Sequence, residues 1–203
     1  MSLLQRLTAH HRRPDTPMPA TPLTAALASA QPLLVLGTPQ QQAHVLHLAL
    51  DELHTRALQA PPSLETSDPF RHHHIGPDLS TPHSVVQRTV YPDWDAWAQQ
   101  IYFPLITAGK APPKHPHLLS ASLERMDQVS STLWMLRMVG LPVIALSEGR
   151  FLDATHSVTA QGELIAHHNV HTCIDLRVHP LLQKDEAFVW TAERPGKTTW
   201  RVP

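Results

Sequence analysis

Cysteine, charge and long apolar runs are all scarce in this sequence. The 203-residue chain has one cysteine, Cys173, which excludes a disulfide within the chain and is typical of a reducing, cytoplasmic environment. No apolar run approaches the roughly 18 residues needed to span a bilayer. The N-terminal stretch lacks the long apolar region and small-residue cleavage site of a signal peptide. We therefore expect a cytoplasmic protein with no membrane partner.

Charge is both sparse and balanced. Charged residues make up 16% of the chain, and the formal net charge is −1 at pH 7. A strong non-specific binder of nucleic acid or of anionic membrane carries a large positive field. The composition argues against that class of protein, while it leaves room for a local basic patch.

Proline is abundant, with 20 residues in the chain, and it suggests where the domain begins. The segment RRPDTPMPATP carries four prolines in eleven residues, which is typical of an extended linker. We predict a short helix at 3–10 and this linker within residues 1–31, followed by one domain over 32–203.

Apolar patterning over 32–203 alternates between strand and helix. We predict strands at 33–36, 63–66, 84–90, 117–122, 141–146 and 170–177, and a terminal hairpin of 187–192 with 198–202. Helices are expected at 22–30, up to residue 58, at 71–75 with Gly76 as C-cap, at 93–108, 127–139 and 163–168, whereas 149–162 shows no periodicity. The pattern predicts an α/β fold with a doubly wound, mostly parallel sheet, helices on both faces and a C-terminal antiparallel hairpin.

The first strand and helix frame a degenerate phosphate-binding loop. The segment LLVLGTPQQQAHVLHLALDEL has the strand, glycine and amphipathic helix on which such loops are built, with Gly37 and Thr38 opening the connection. The phosphate loop reads G-x-x-x-x-G-K-[ST]. Here Gln42, Ala43 and His44 replace the second glycine, the lysine and the hydroxyl residue. The sequence therefore predicts the scaffold without its nucleotide chemistry, and no bound cofactor.

Six segments in order resemble the RecA superfamily core. They are the strand–helix segment above, LETSDPFRHHHIGPDL, SVVQRTVYPDWDAWAQQI, GLPVIALSE, GELIAHHNVHTCIDLR and AFVWTAERPGKTTWRV. The resemblance implies a RecA-like sheet, a water-activating glutamate at Glu65, and a DNA-facing loop at 149–162. It also shows a second loss, because Ser120, Ala121 and Ser122 stand where the magnesium-holding aspartate is expected, and Ser147-Glu148 replaces an Asn-Gln pair.

Two missing electrostatic groups would remove most of the stabilisation of phosphoryl transfer, so the resemblance implies a pseudo-ATPase with no catalytic residue. Similarity to ImuA/SulA-type accessory proteins of bacterial damage-induced mutagenesis rests on the hairpin residues Arg194, Gly196, Lys197 and Trp200. It implies a non-catalytic accessory protein of DNA repair or damage tolerance (the SOS response and translesion synthesis). The expected partners are a recombinase or translesion polymerase complex and single-stranded DNA, with self-association through residues 1–22.

Two alternatives of a different class stay open. One is an ATPase with a non-standard loop and Glu65 as base. The other is a stand-alone DNA-binding module, in which a local group of cations contacts phosphates. The candidate DNA-binding residues are Arg150, Arg194, Lys197 and Arg201.

The remaining constellations favour structural interpretations. Histidine clusters at 72–74 and 167–171 lack the four-ligand spacing of a zinc site, so we predict no metal. No G-x-S-x-G elbow is present. Trp94, Trp97 and Trp134 are predicted to pack in the core, and Trp190 is expected to face Trp200 across the hairpin.

Overall fold

The chain folds around one large mixed sheet. The structure, a computed structural model, describes residues 21–28, 32–59, 71–79, 87–107, 117–126, 128–138, 141–170, 172–177, 186–191 and 198–203. Its main strands are β1 (Leu33–Leu36), β2 (Arg71–Ile75), β3 (Gln87–Tyr91), β4 (His117–Ser122), β5 (Val143–Ser147), β9 (Thr172–Asp175), β10 (Glu186–Thr191) and β11 (Thr198–Arg201). The strand order is β11-β10-β9-β1-β5-β4-β2-β3.

The sheet is parallel except at one edge. Strands β3, β2, β4, β5, β1 and β9 pair in parallel, whereas β10 runs antiparallel to β9 and β11 antiparallel to β10. The predicted α/β class, the mostly parallel sheet and the terminal antiparallel hairpin are confirmed. Strands β1 and β5 are buried along their whole length, as continuous apolar runs in a parallel sheet require.

The helices are α1 (Pro22–Ala28), α2 (Pro39–Gln59), α3 (Trp94–Trp97), α4 (Phe103–Thr107) and α5 (Val129–Met138). Alternate residues of β1 enter two separate cores, as the two-residue period of a strand dictates. Leu33 and Val35 pack in a cluster that includes α1 and α2 side chains. Leu34 and Leu36 pack in a second cluster that includes side chains of α3 and α5.

A π-helical turn, Ala98–Tyr102, joins α3 to α4. Asp93 caps α3 by accepting a hydrogen bond from the amide of Ala96 at 2.9 Å, as an aspartate before an apolar helical repeat commonly does. Pro104 lies two residues beyond the turn and has no N–H for the preceding helix. The widened turn accommodates this missing donor.

Three short strands form a second, antiparallel sheet: β6 (Arg150–Phe151), β7 (His156–Val158) and β8 (Leu164–Ala166), in the order β6-β7-β8. Here the sequence interpretation was wrong twice. Residues 149–162 contain two strands although they show no periodicity, and 163–168 form β8 followed by a 3-10 turn (His167–Asn169) instead of a helix. Strands of two or three residues are too short to display a two-residue period.

The predicted helix at 71–75 was also wrong, because Arg71–Ile75 is β2, paired in parallel with β3 and β4. The buried strand was not predicted because its central residues are polar. His72, His73 and His74 are nevertheless only 1%, 5% and 0% exposed. Gly76 follows with a φ of +124°, a conformation that favours glycine, but it ends a strand and not a helix.

Two tryptophan assignments also need correction. Trp97 is fully buried as predicted, but Trp134 is 56% exposed, because α5 turns Val129, Leu133 and Leu136 into the core instead. Trp190 and Trp200 do not face each other. Trp190 pairs with Cys173 and Trp200 with Ala187, and the two rings enter different cores.

Several predictions fall outside the described residues: the helix at 3–10, the linker, the strand at 63–66 with Glu65, and the hairpin tip with Arg194 and Lys197. Among the helices that the structure describes, none is long and apolar enough to cross a membrane.

Candidate functional site

Strand β1 lies between β5 and β9, and the carboxyl ends of these three parallel strands lie side by side at one edge of the sheet. The chain passes from β1 to β2 and β3 on one side, returns through β4 and β5, and then crosses to β9 on the other side. In open α/β sheets, ligands bind outside the carboxyl ends of the strands at such a change of side. The candidate site is therefore the edge formed by Gly37, Ser147 and Leu176.

Only two residues, Gly37 and Thr38, connect β1 to α2, since β1 ends at Leu36 and the helix begins at Pro39. Proline at the first helical position suits a helix start, because its missing N–H would have no intrahelical partner. Gln42, Ala43 and His44 therefore lie inside the helix. The positions that should wrap a phosphate are already helical.

The amides of this connection are engaged by the chain itself. Thr38 N–H donates to Gln41 Oε1 at 2.9 Å, and Gln41 N–H donates to Thr38 Oγ1 at 3.4 Å. This reciprocal pair is a capping box, and its T-x-x-Q spacing is readable in the sequence. Gly37 N–H donates to the carbonyl of Ser147 at 3.0 Å. These donors are consequently committed before any anion arrives.

The two glutamine side chains also tie the loop to its neighbours. Gln41 Nε2 donates to the carbonyl of Leu176 at 2.7 Å, which joins the helix start to the end of β9. Gln42 is 4% exposed and its Nε2 donates to the carbonyl of Gly37 at 2.8 Å. Gln42, which replaces the second glycine of a phosphate loop, thus closes the turn from within.

His44 Nε2 donates to the carbonyl of Pro203 at 2.9 Å, so this exposed ring holds the last residues of the chain against α2. Ala43 is half-buried in the same helix. Neither side chain presents a cation to the strand ends.

A carboxylate that sequence reasoning missed occupies the ends of β4 and β5. Glu124 Oε1 accepts from Ser147 Oγ at 2.6 Å and from the amide of Glu148 at 2.8 Å. Ser147 Oγ in turn accepts from the amide of Gly149 at 3.0 Å. The carbonyl of Ser147 accepts from the amide of Gly37, so Ser147 links the Glu124 carboxylate to the connection between β1 and α2. The carboxylate would repel a phosphate bound at this connection. No spacing in the sequence signals this contact.

Ser120, at the place of the expected magnesium-holding aspartate, is fully buried between two imidazoles. His74 Nε2 lies 2.7 Å from the carbonyl of Pro77, which can only accept, so this nitrogen carries the proton. Ser120 Oγ then donates to His74 Nδ1 at 2.7 Å and accepts from His72 Nε2 at 2.8 Å. Burial lowers the pKa of His74 below its usual value, and the carbonyl of Pro77 acts in the opposite direction. Both hydrogen bonds of the Ser120 hydroxyl are therefore made within the core.

The candidate DNA-binding residues are only partly described. Arg150 is exposed on β6, and its side chain makes no hydrogen bond or ion pair with another described residue. It lines a shallow pocket with Thr159, Gly162 and Arg177 beside the ends of β5 and β9. Arg177 is held by both carboxylate oxygens of Asp175.

Arg201 is exposed on β11 opposite Glu186. Since β11 runs in the same direction as β9, Arg201 lies toward the carboxyl edge. The hairpin leaves β10 at Thr191, which pairs with Thr172 at the start of β9 and hence at the opposite edge of the sheet. Arg194 and Lys197 lie beyond Thr191, outside the described residues.

No group of three or more histidine, cysteine, aspartate or glutamate side chains able to hold a metal ion occurs among the described residues. No protein-family model matches the sequence, and a search of the curated proteins also gave no match.

Proposed function

We propose that this chain is a RecA-like, non-catalytic accessory protein of DNA repair or damage tolerance. It would act through contacts with a recombinase or translesion polymerase complex. The observation that carries the non-catalytic part is the β1–α2 connection, which is two residues long and hydrogen-bonded to itself. The strand order and the two cores that share β1 support the doubly wound, RecA-like part.

The electrostatics of the strand ends favour this proposal over an ATPase. Phosphoryl transfer depends on positioned cations and amides that stabilise the charge on the transferred group. At this edge the amides of Gly37 and Thr38 are occupied, and Ser147, whose carbonyl accepts from Gly37, is hydrogen-bonded to the Glu124 carboxylate. Ser120 is likewise committed to His72 and His74, so it presents no ligand to a magnesium ion.

Nucleotide binding tests the non-catalytic part. We expect purified protein titrated with a fluorescent ATP analogue in magnesium to show no saturable binding up to about 1 mM, a limit of about −4 kcal/mol. Micromolar, magnesium-dependent binding would contradict the proposal and revive the ATPase alternative.

The partner part has its own test. The tagged protein is expected to co-purify recombinase or translesion polymerase subunits from damaged cells, and a truncation that lacks residues 1–22 tests whether that segment carries the contact. Retention of neither subunit class by the full chain would contradict the proposed partners.

A stand-alone DNA-binding module remains the second candidate, favoured by one observation. Arg150 is an exposed cation with no partner among the described residues, and it shares a pocket with Arg177 at the strand ends. Phosphate contacts need such solvent-facing guanidinium groups.

A further inference from the structure

His167 joins the three-stranded sheet to the main sheet. Its ring is 1% exposed and lies between the rings of Phe151 in β6 and Trp190 in β10, with centroid distances of 5.1 and 4.7 Å. Its amide donates to the carbonyl of Thr155 at 2.8 Å. One side chain thus contacts both sheets.

The hydrogen bonds of this ring are satisfied best by the neutral imidazole. Nδ1 lies 3.1 Å from the carbonyl of Ala154, which can only accept, so Nδ1 carries a proton. Nε2 lies 2.8 Å from Ser157 Oγ, and in the neutral ring it accepts from the serine hydroxyl. A second proton on Nε2 would force that hydroxyl to turn away, and its remaining neighbour is the weakly accepting Cys173 Sγ at 3.9 Å.

The groups that face His167 do not offset a buried positive charge. Burial lowers the pKa of His167 below its usual value of 6.5, the carbonyl of Ala154 and Asp153 act to raise it, and His156 acts to lower it. Asp153 already accepts from the amides of Thr155 and His156 and from the Thr155 hydroxyl. The face of Trp190 can attract a cation, but this contact does not replace the hydration that a buried imidazolium loses.

The remaining neighbours add no free carboxylate. Asp175, beyond Cys173 on β9, is paired with Arg177. On α5, Arg137 donates to the carbonyl of His168, and Glu163 accepts from the amide of Val129. Protonation of His167 would therefore favour an arrangement in which the ring reaches water.

We propose that His167 is an acid-sensitive latch, whose protonation loosens the three-stranded sheet from β9 and β10 and opens access to Cys173. Thermodynamic linkage gives the direction in which pH changes the opening equilibrium. Because the ring binds a proton more readily in the opened state, opening becomes more favourable as pH falls below 6.5. One group with an opened-state pKa of about 6.5 can shift the opening equilibrium about tenfold at pH 5.5.

The thiol of Cys173 reports this opening directly. It is the single cysteine of the chain, it is 1% exposed, and Ser157 of β7 lies against it. The experiment measures the reaction rate of the intact protein with 4,4′-dithiodipyridine between pH 7.5 and 5.5. Each rate is divided by that of a peptide of residues 170–177 at the same pH, which removes the intrinsic pH dependence of the thiol.

In the natural chain we expect the protection of Cys173 to fall as pH is lowered over this range, by up to about tenfold. His167→Phe keeps a ring between Phe151 and Trp190 without a titrating nitrogen, so its protection should stay constant. His168→Gln, which changes the exposed neighbour in the same turn, is the matched control and should behave as the natural chain does.

Constant protection in the natural chain, or an equal fall in His167→Phe, would overturn the latch. If His167→Phe does not fold, the natural chain still decides the question by NMR. The backbone-assigned His167 ring signals of the closed state must titrate with a midpoint below 6.5, and a midpoint at 6.5 or above would refute the proposal, because protonation would then not favour opening.

Discussion

Ser120 supplies a hydrogen-bond partner to one nitrogen of each of two buried imidazoles. It donates to His74 Nδ1 and accepts from His72 Nε2 in the middle of the parallel sheet. A carboxylate at this position would leave no donor for His74 Nδ1 while that ring stays neutral. The serine hydroxyl therefore suits the two histidines of β2, His72 and His74, that contact it.

Replacing Ser120 with alanine should lower the free energy of unfolding by about 1–3 kcal/mol, because two buried ring nitrogens lose their hydrogen-bond partner. Urea denaturation followed by far-UV circular dichroism at pH 7.5 measures the change. Ser131→Ala, on the exposed side of α5, is the control and should change stability by less than about 0.5 kcal/mol. Equal losses in the two variants would mean that the Ser120 hydroxyl contributes nothing specific.

At the scale of elements, the start of α2 combines several local signals. Thr38 caps the helix, Pro39 opens it, and Gln41 reaches back to the Thr38 amide while its other end holds β9. The same few contacts fix the helix and consume the donors of the loop. The contacts that stabilise this element are therefore the same ones that leave its amides without a free donor.

Thr38→Ala should cost about 1 kcal/mol of unfolding free energy, as loss of an N-cap usually does. Gln41→Ala should cost at least as much, because it also removes the bond to Leu176. Thermal denaturation of both single variants and the double variant gives their coupling energy, and Gln40→Ala, exposed in the same turn, serves as control. Strict additivity would show that the two side chains do not form one capping unit.

The elements differed in how far the sequence predicted them. Strands β1 and β5 and the inward face of α5 follow from apolar runs and helical spacing, because burial there depends on the residue itself. Strand β2 was missed because the burial of His72 and His74 depends on Ser120, which is distant in the chain. The helix cap at Thr38 was readable, whereas the contact between Glu124 and Ser147 depends on the pairing of β4 with β5, which no local pattern contains.

The tryptophans show the same limit. Trp134 has the spacing of a core residue in the sequence. However, α5 also carries Val129, Leu133 and Leu136, and only one stripe of a helix can face the sheet. The surface against which the helix packs determines which stripe is buried. Similarly, the sheet order sends Trp190 and Trp200 to opposite faces, which the hairpin sequence alone does not determine.

At the scale of the whole molecule, Arg150 and Arg201 differ in position and in partners. Arg150 extends from the small sheet near the ends of β5 and β9, whereas Arg201 lies across from Glu186 on the far edge strand. The two residues provide a matched comparison for the DNA-binding alternative.

If the chain binds single-stranded DNA through the pocket at the strand ends, Arg150→Ala should weaken binding and reduce the salt slope by about 1, as loss of one phosphate contact does. Arg201→Ala should have a smaller effect, since that side chain lies opposite a carboxylate residue. Fluorescence anisotropy with a labelled oligonucleotide at several salt concentrations measures both. Identical binding by Arg150→Ala and the natural chain would remove Arg150 from any DNA surface.

The two-residue connection between β1 and α2 also limits what evolution can do with this protein. Point substitutions that introduced glycine and lysine at positions 42 and 43 would place them within a helical turn, where their amides already belong to the helix. A phosphate loop at this position would require inserted residues together with loss of the Thr38–Gln41 cap. Each intermediate would lose stability before it gained a ligand. Single substitutions therefore change the surface of this protein far more readily than they could build a phosphate-binding loop here.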